Sequence, residues 1–155
     1  MKKLRLTFFS VILSLASAHV LAAEIPDSVV GTYKRKQPVC FYELNEKGER
    51  KNRCESYAYD TIEIKRKSLA AAYVGITLVF QNEDKCHFYG VGEWDGESIR
   101  ASAKSNVGTL CKVKISFASD GAASTSTENE ECGLAKGFCA YHGVLGGAGP
   151  LPKVK

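Results

Sequence analysis

The chain has 155 residues, with 21 Lys and Arg against 17 Asp and Glu for a formal charge of +4. Three of those basic residues fall in residues 1–23, so the remaining 132 residues carry 18 basic against 17 acidic groups, a net +1. That balance argues against nucleic-acid binding through a strong basic field, and 132 residues suit one domain with one core.

The N-terminal stretch reads as an export signal. Lys2, Lys3 and Arg5 are followed by an apolar run over 6–16 and by the small residues Ala16, Ala18, Ala22 and Ala23. Charge, short apolar core and small-residue exit in that order mark a secretory signal, and the core is shorter than the roughly 20 residues a membrane span requires. No lipobox cysteine follows it, and no later apolar run is long enough to span. Residues 1–23 are expected to be removed, leaving a periplasmic or secreted protein with no membrane insertion after cleavage.

Beyond the signal the residues alternate as strands do. Strands are expected over 29–36 and 39–44, then a polar turn at Asn45-Glu46-Lys47-Gly48-Glu49. Residues 61–65 alternate apolar inward with charge outward, and the β-branched run 70–80 reads as a central strand. Residues 87–94 lead through Asp95-Gly96, a hairpin signal, into 98–104. A strand over 111–117 follows, then a turn at Ser119-Asp120-Gly121, a weak polar edge strand over 122–127 and a last strand over 138–145. Closely spaced strands with turn signals describe an all-β fold, a small antiparallel meander forming either a barrel or a sandwich. The domain is expected to span 24–145, with Gly- and Pro-rich residues 146–155 as a flexible tail. Inward parity assigns Ile62, Ile64, Val74, Ile76, Leu78, Phe80, Val113, Ile115 and Phe117 to the core.

Cys40, Cys54, Cys86, Cys111, Cys132 and Cys139 all follow the signal. An even count in an exported chain implies disulfides. Connectivity is left open, although a hairpin through Asp120-Gly121 brings Cys111 and Cys132 together. Zinc is the alternative, with Cys132, Cys139 and His142 as its one close cluster, but a second short-spaced ligand pair is missing. No metal or cofactor is expected.

Catalytic chemistry lacks a foundation. His87 and His142 are the histidines after the signal, and neither belongs to a nucleophile motif. Glu83-Asp84 and Glu130-Glu131 sit where turns are expected, and no calcium-loop spacing surrounds them. Gly90, Gly92 and Gly96 precede no helix, which removes a phosphate loop. Phe88, Tyr89 and Trp94 could stack on a ligand or pack across strands. Charge is segregated along the chain: residues 34–67 carry a local +4 and residues 83–131 a local −4.

The segment 131–145, ECGLAKGFCAYHGVL, follows the cysteine-headed strand Cys111-Lys112-Val113-Lys114-Ile115-Ser116-Phe117. A strand opening with cysteine, a polar hairpin and then Phe-Cys-Ala-x-x-Gly resembles small exported bacterial β-rich proteins of the lysozyme-inhibitor and cell-wall-enzyme immunity kind. The resemblance covers about the last third of the domain. It implies a binding protein that inhibits or neutralises another protein, above all a peptidoglycan-cleaving enzyme such as a lysozyme or a toxin amidase. An acidic C-terminal half would suit a cationic hydrolase. From the residues themselves, the partner-binding surface is expected at Glu130, Glu131, Tyr141 and His142: acidic groups and an aromatic on a loop that Cys132 and Cys139 can brace. The alternative is a periplasmic small-ligand carrier using a barrel cavity, since Ala70, Ala71, Ala72, Gly75, Gly90, Gly92, Ala101 and Ala103 either leave space or permit tight packing.

Overall fold

The computed structural model describes residues 23–80, 84–133, 136–140 and 143–154. The expected signal, apart from Ala23, lies outside the described residues. Seven strands follow: β1 (Gly31–Leu44), β2 (Arg50–Arg66), β3 (Ala71–Val79), β4 (Lys85–Trp94), β5 (Ser98–Lys104), β6 (Leu110–Phe117) and β7 (Ala123–Thr127). They form one antiparallel sheet in chain order, so the fold is an all-β meander.

Turn chemistry explains the meander. A short polar side chain accepts hydrogen bonds from amides two to four residues ahead and folds the chain back. Asn45 Oδ1 accepts from the amides of Lys47 (3.0 Å) and Glu49 (2.8 Å). Ser105 Oγ accepts from Thr109 N, and Asp120 Oδ1 from Ala122 N. Asp95 accepts from the Ser98 hydroxyl and from the amides of Glu97 and Ser98, and these bonds hold its carboxyl well below the usual carboxylate range.

Strand parity puts one face of the sheet inside. Tyr33, Ile62, Ile64, Val74, Ile76, Leu78, Phe88, Ile99, Val113 and Ile115 belong to a single buried cluster, with Phe80 and Phe117 packed at its margin. The sheet curls around that cluster: Tyr33 on β1 and Phe117 on β6 bring their ring centroids to 5.9 Å. Small inward residues let the walls approach. At Gly92 a Cβ would stand 3.0 Å from that of Ala101, so the small pair serves close packing of β4 on β5.

The sheet is not closed into a barrel, since β1 and β7 do not pair. The C-terminal segment occupies the gap between them. Ala123 and Leu151 exchange both backbone hydrogen bonds, while Lys34 N donates to Pro152 O and Val154 N to Thr32 O. Leu151 is fully buried, and Lys153 Nζ donates to Ser28 O at 2.8 Å. The expected mobile tail is therefore corrected: residues 146–154 are hydrogen-bonded on both sides, because the curled sheet leaves two edges whose backbone groups need partners.

Two further expectations change. The strands expected at 29–36 and 39–44 are one strand, carried past Pro38 with a register shift between Val39 and Cys40. Pro38 has no N–H to give, which suits an edge position. Beyond that shift the β1–β2 hairpin projects as a two-stranded arm, since β2 pairs with β3 only over Thr61–Arg66. Of the strand expected over 138–145, the described residues contribute a single bridge, Cys139 opposite Cys86 on β4, and any Cβ at Gly143 would collide with Cys86 Sγ; residues 141 and 142 lie outside the described residues.

Candidate functional site

All six cysteines are paired: Cys40–Cys54, Cys86–Cys139 and Cys111–Cys132. The first staples the β1–β2 arm. The other two bracket the segment after β7, where Glu130, Glu131, Tyr141 and His142 were expected to form a binding surface. Three disulfides fit an oxidising compartment.

The segment is fixed at both ends. At its start Asn129 mimics a strand neighbour of β6: its Oδ1 accepts from Lys112 N at 2.9 Å and its Nδ2 donates to Leu110 O at 2.8 Å. A single 3-10 turn, Glu130–Cys132, then buries Cys132 against β6. At the far end Phe138 is buried beside Phe88, with ring centroids 6.1 Å apart. His87 N donates to Phe138 O and Ala140 N to Lys85 O, so residues 138–140 ride along β4.

The acidic excess counted along residues 83–131 does not appear here as a cluster of unpaired carboxylates. Arg100 pairs with Glu128, and Lys136 Nζ lies 3.0 Å from Glu131. Glu130 is exposed and makes no ion pair among the described residues. One pair joins residues 28 apart and the other residues five apart, so of Glu128, Glu130 and Glu131 only Glu130 is unpaired among the described residues. Tyr141 and His142 lie outside the described residues.

Among the described residues no nucleophile and base come together here. His87 Nδ1 is 3.3 Å from Thr77 Oγ1 on the open outer face of β3 and β4. The sulfurs of Cys132 and Cys139 are committed to disulfides, and no trio of His, Cys, Asp or Glu gathers as a metal site among the described residues.

Of a second surface only Tyr89 stood out in the sequence, as a ring able to stack on a ligand. On the outer parity of β2–β4, Tyr57, Tyr59, Tyr73 and Tyr89 are all more than half exposed. In register, Tyr73 stands between Lys65 and Val91, and Gly75 between Glu63 and Tyr89. These residues line a groove of about 370 Å³. Its signal was present: tyrosine recurs at outward positions of β2, β3 and β4, at 57, 59, 73 and 89. The Lys36 ammonium lies 4.1 Å from the centre of the Tyr57 ring, a cation–π contact on the arm.

No protein-family model, curated protein or solved structure matches this chain.

Proposed function

We propose that this chain is an exported binding protein that neutralises another protein, above all a peptidoglycan-cleaving enzyme such as a lysozyme or toxin amidase, in the periplasm or outside the cell. The observation that carries the reading is the bracing of the described residues 130–133 and 136–139. A segment held in shape before binding loses less conformational entropy on association, and this one is held by the disulfides of Cys132 and Cys139, by a backbone bond from His87 to Phe138 and, just before it, by the Asn129 side chain on β6. The export signal read in residues 1–23 supports the location. The free carboxylate of Glu130 offers a rim contact to a cationic enzyme.

The interior-carrier alternative draws less support, because the inner face is filled by side chains as large as Tyr33 and Phe88. The experiment is a wall-lysis assay. Purified oxidised protein lacking residues 1–23 is added to lysozymes and peptidoglycan amidases, and clearing of a cell-wall suspension is followed by turbidity. Dose-dependent inhibition of one enzyme supports the reading. Absence of inhibition and of binding across the panel overturns it.

A further inference from the structure

We infer that the groove over Gly75 on the outer face of β2–β4 binds a neutral pyranose oligosaccharide, its rings stacked on Tyr73 and Tyr89. This site is separate from residues 130–139 and does not depend on the proposed inhibition.

Four observations lead to that ligand class. First, the groove of about 370 Å³ has the size of a small-ligand site, which runs to roughly 300–1,000 Å³. Two tyrosines bury about 150–250 Å² each, short of the roughly 800 Å² per side that a stable protein partner covers.

Second, the rings are available. Tyr73 is 53% exposed and Tyr89 72%, and a flat aromatic face offers apolar contact at little entropic cost because only two side-chain torsions are fixed. Third, Gly75 is needed for the shape of the floor. A Cβ there would stand 3.3 Å from the Tyr89 ring, so glycine lets the ring lie over β3 with its other face in solvent.

Fourth, the rim is polar and nearly balanced in charge. Lys65 Nζ and Glu63 Oε2 lie 3.2 Å apart and offset each other, leaving the Lys67 ammonium, 5.5 Å from the centre of the Tyr73 ring, as a single positive charge at the edge. A sugar hydroxyl both donates and accepts, and adjacent ammonium and carboxylate groups serve both roles. A ligand with flat C–H faces and a hydroxylated edge matches rings beside such a pair.

The test titrates oxidised protein with tetra-N-acetylchitotetraose and with cellotetraose by calorimetry. Saturable binding of at least one is expected, weakened about tenfold or more by Tyr89→Ala and retained by Tyr89→Phe, because stacking uses the ring and not the hydroxyl. Gly75→Val is expected to weaken binding likewise. In the unmodified protein, saturating aromatic protons should transfer magnetisation to the bound sugar, which keeps the test open if a variant misfolds. Failure of both sugars to bind, or binding unchanged in the Tyr73→Ala, Tyr89→Ala double variant, overturns the inference. So does loss of hydrolase inhibition in that double variant without sugar binding, which assigns the face to a protein partner. Because the wall-lysis assay is read separately, failure of either reading leaves the other distinguishable.

Discussion

Arg35 on β1 and Asp60 on β2 meet at 2.7 Å beside the C-terminal segment, and the same guanidinium donates to the carbonyl of Gly149. Asp60 is almost fully buried and accepts two further hydrogen bonds, one from β1 and one from β3: Gln37 Nε2 donates at 2.9 Å and Val79 N at 2.9 Å. One carboxylate thus links β1, β2 and β3, and through Arg35 it reaches the segment that fills the gap to β7.

Asp60→Ala should therefore loosen both the β2–β3 corner and the C-terminal segment. The orphaned Val79 amide alone costs about 1–3 kcal/mol. Urea unfolding measures the loss, and hydrogen exchange at Leu151 should accelerate with it. An unchanged midpoint would show that the network is incidental.

Leu151→Ala tests whether the C-terminal segment belongs to the fold. Its side chain is fully buried in the common core, so truncation should cost about 2–5 kcal/mol. A mobile tail would tolerate the change without effect on the thermal midpoint.

The disulfides should differ in weight. Cys86–Cys139 closes 53 residues and Cys40–Cys54 closes 14, so loop entropy assigns about 4 kcal/mol to the first and about 3 kcal/mol to the second. The second lies on an arm outside the core, so its loss should appear mainly as proteolysis between 40 and 54. Paired Cys→Ala variants, compared by thermal midpoint and limited proteolysis, would contradict this if the arm pair proved the more destabilising.

Much of the fold was legible. Alternation of inward apolar with outward polar residues identified the 61–65 part of β2, β5 and β6, the β-branched run 70–80 identified β3, and Asp120-Gly121 brought Cys111 to Cys132. Of the arm, the strand over 39–44 and the turn at 45–49 were legible, but the return stretch of β2 was not, because Lys51, Arg53, Tyr57 and Tyr59 lie beyond the core and have no reason to alternate apolar with polar. The C-terminal segment escaped for a different reason. Gly146, Gly147, Gly149 and Pro150 read as a breaker cluster, and only a curled sheet with two open edges gives such a stretch backbone partners. At the candidate site, the cysteine bracing could be anticipated, whereas the pairing of Glu128 with Arg100 and Glu131 with Lys136 depends on register that charge counts along the chain do not contain.

Tyr33 supplies a pH dependence. Its hydroxyl donates to Val29 O at 2.8 Å inside the core, and burial pushes its pKa up to about 12. An unfolded tyrosine ionises near pH 10. The folded state binds this proton more tightly, so its contribution to stability is full below about pH 10 and is lost as pH rises toward 12. Phenolate absorbance should show one tyrosine titrating at about pH 12 or together with alkaline unfolding, and Tyr33→Phe should remove that step. Persistence of the step in Tyr33→Phe would contradict the assignment.

The most direct measurement is inhibition of a wall hydrolase by the combined Glu130→Lys, Glu131→Lys, Tyr141→Ala variant, compared with the unmodified protein at matched concentration. If the braced segment contacts the enzyme, the half-inhibitory concentration should rise by about tenfold to a hundredfold, the scale of losing one aromatic anchor and reversing two charges beside it, while the thermal midpoint stays near that of the parent. Inhibition equal to the parent's would place the contact elsewhere on the molecule and contradict the account.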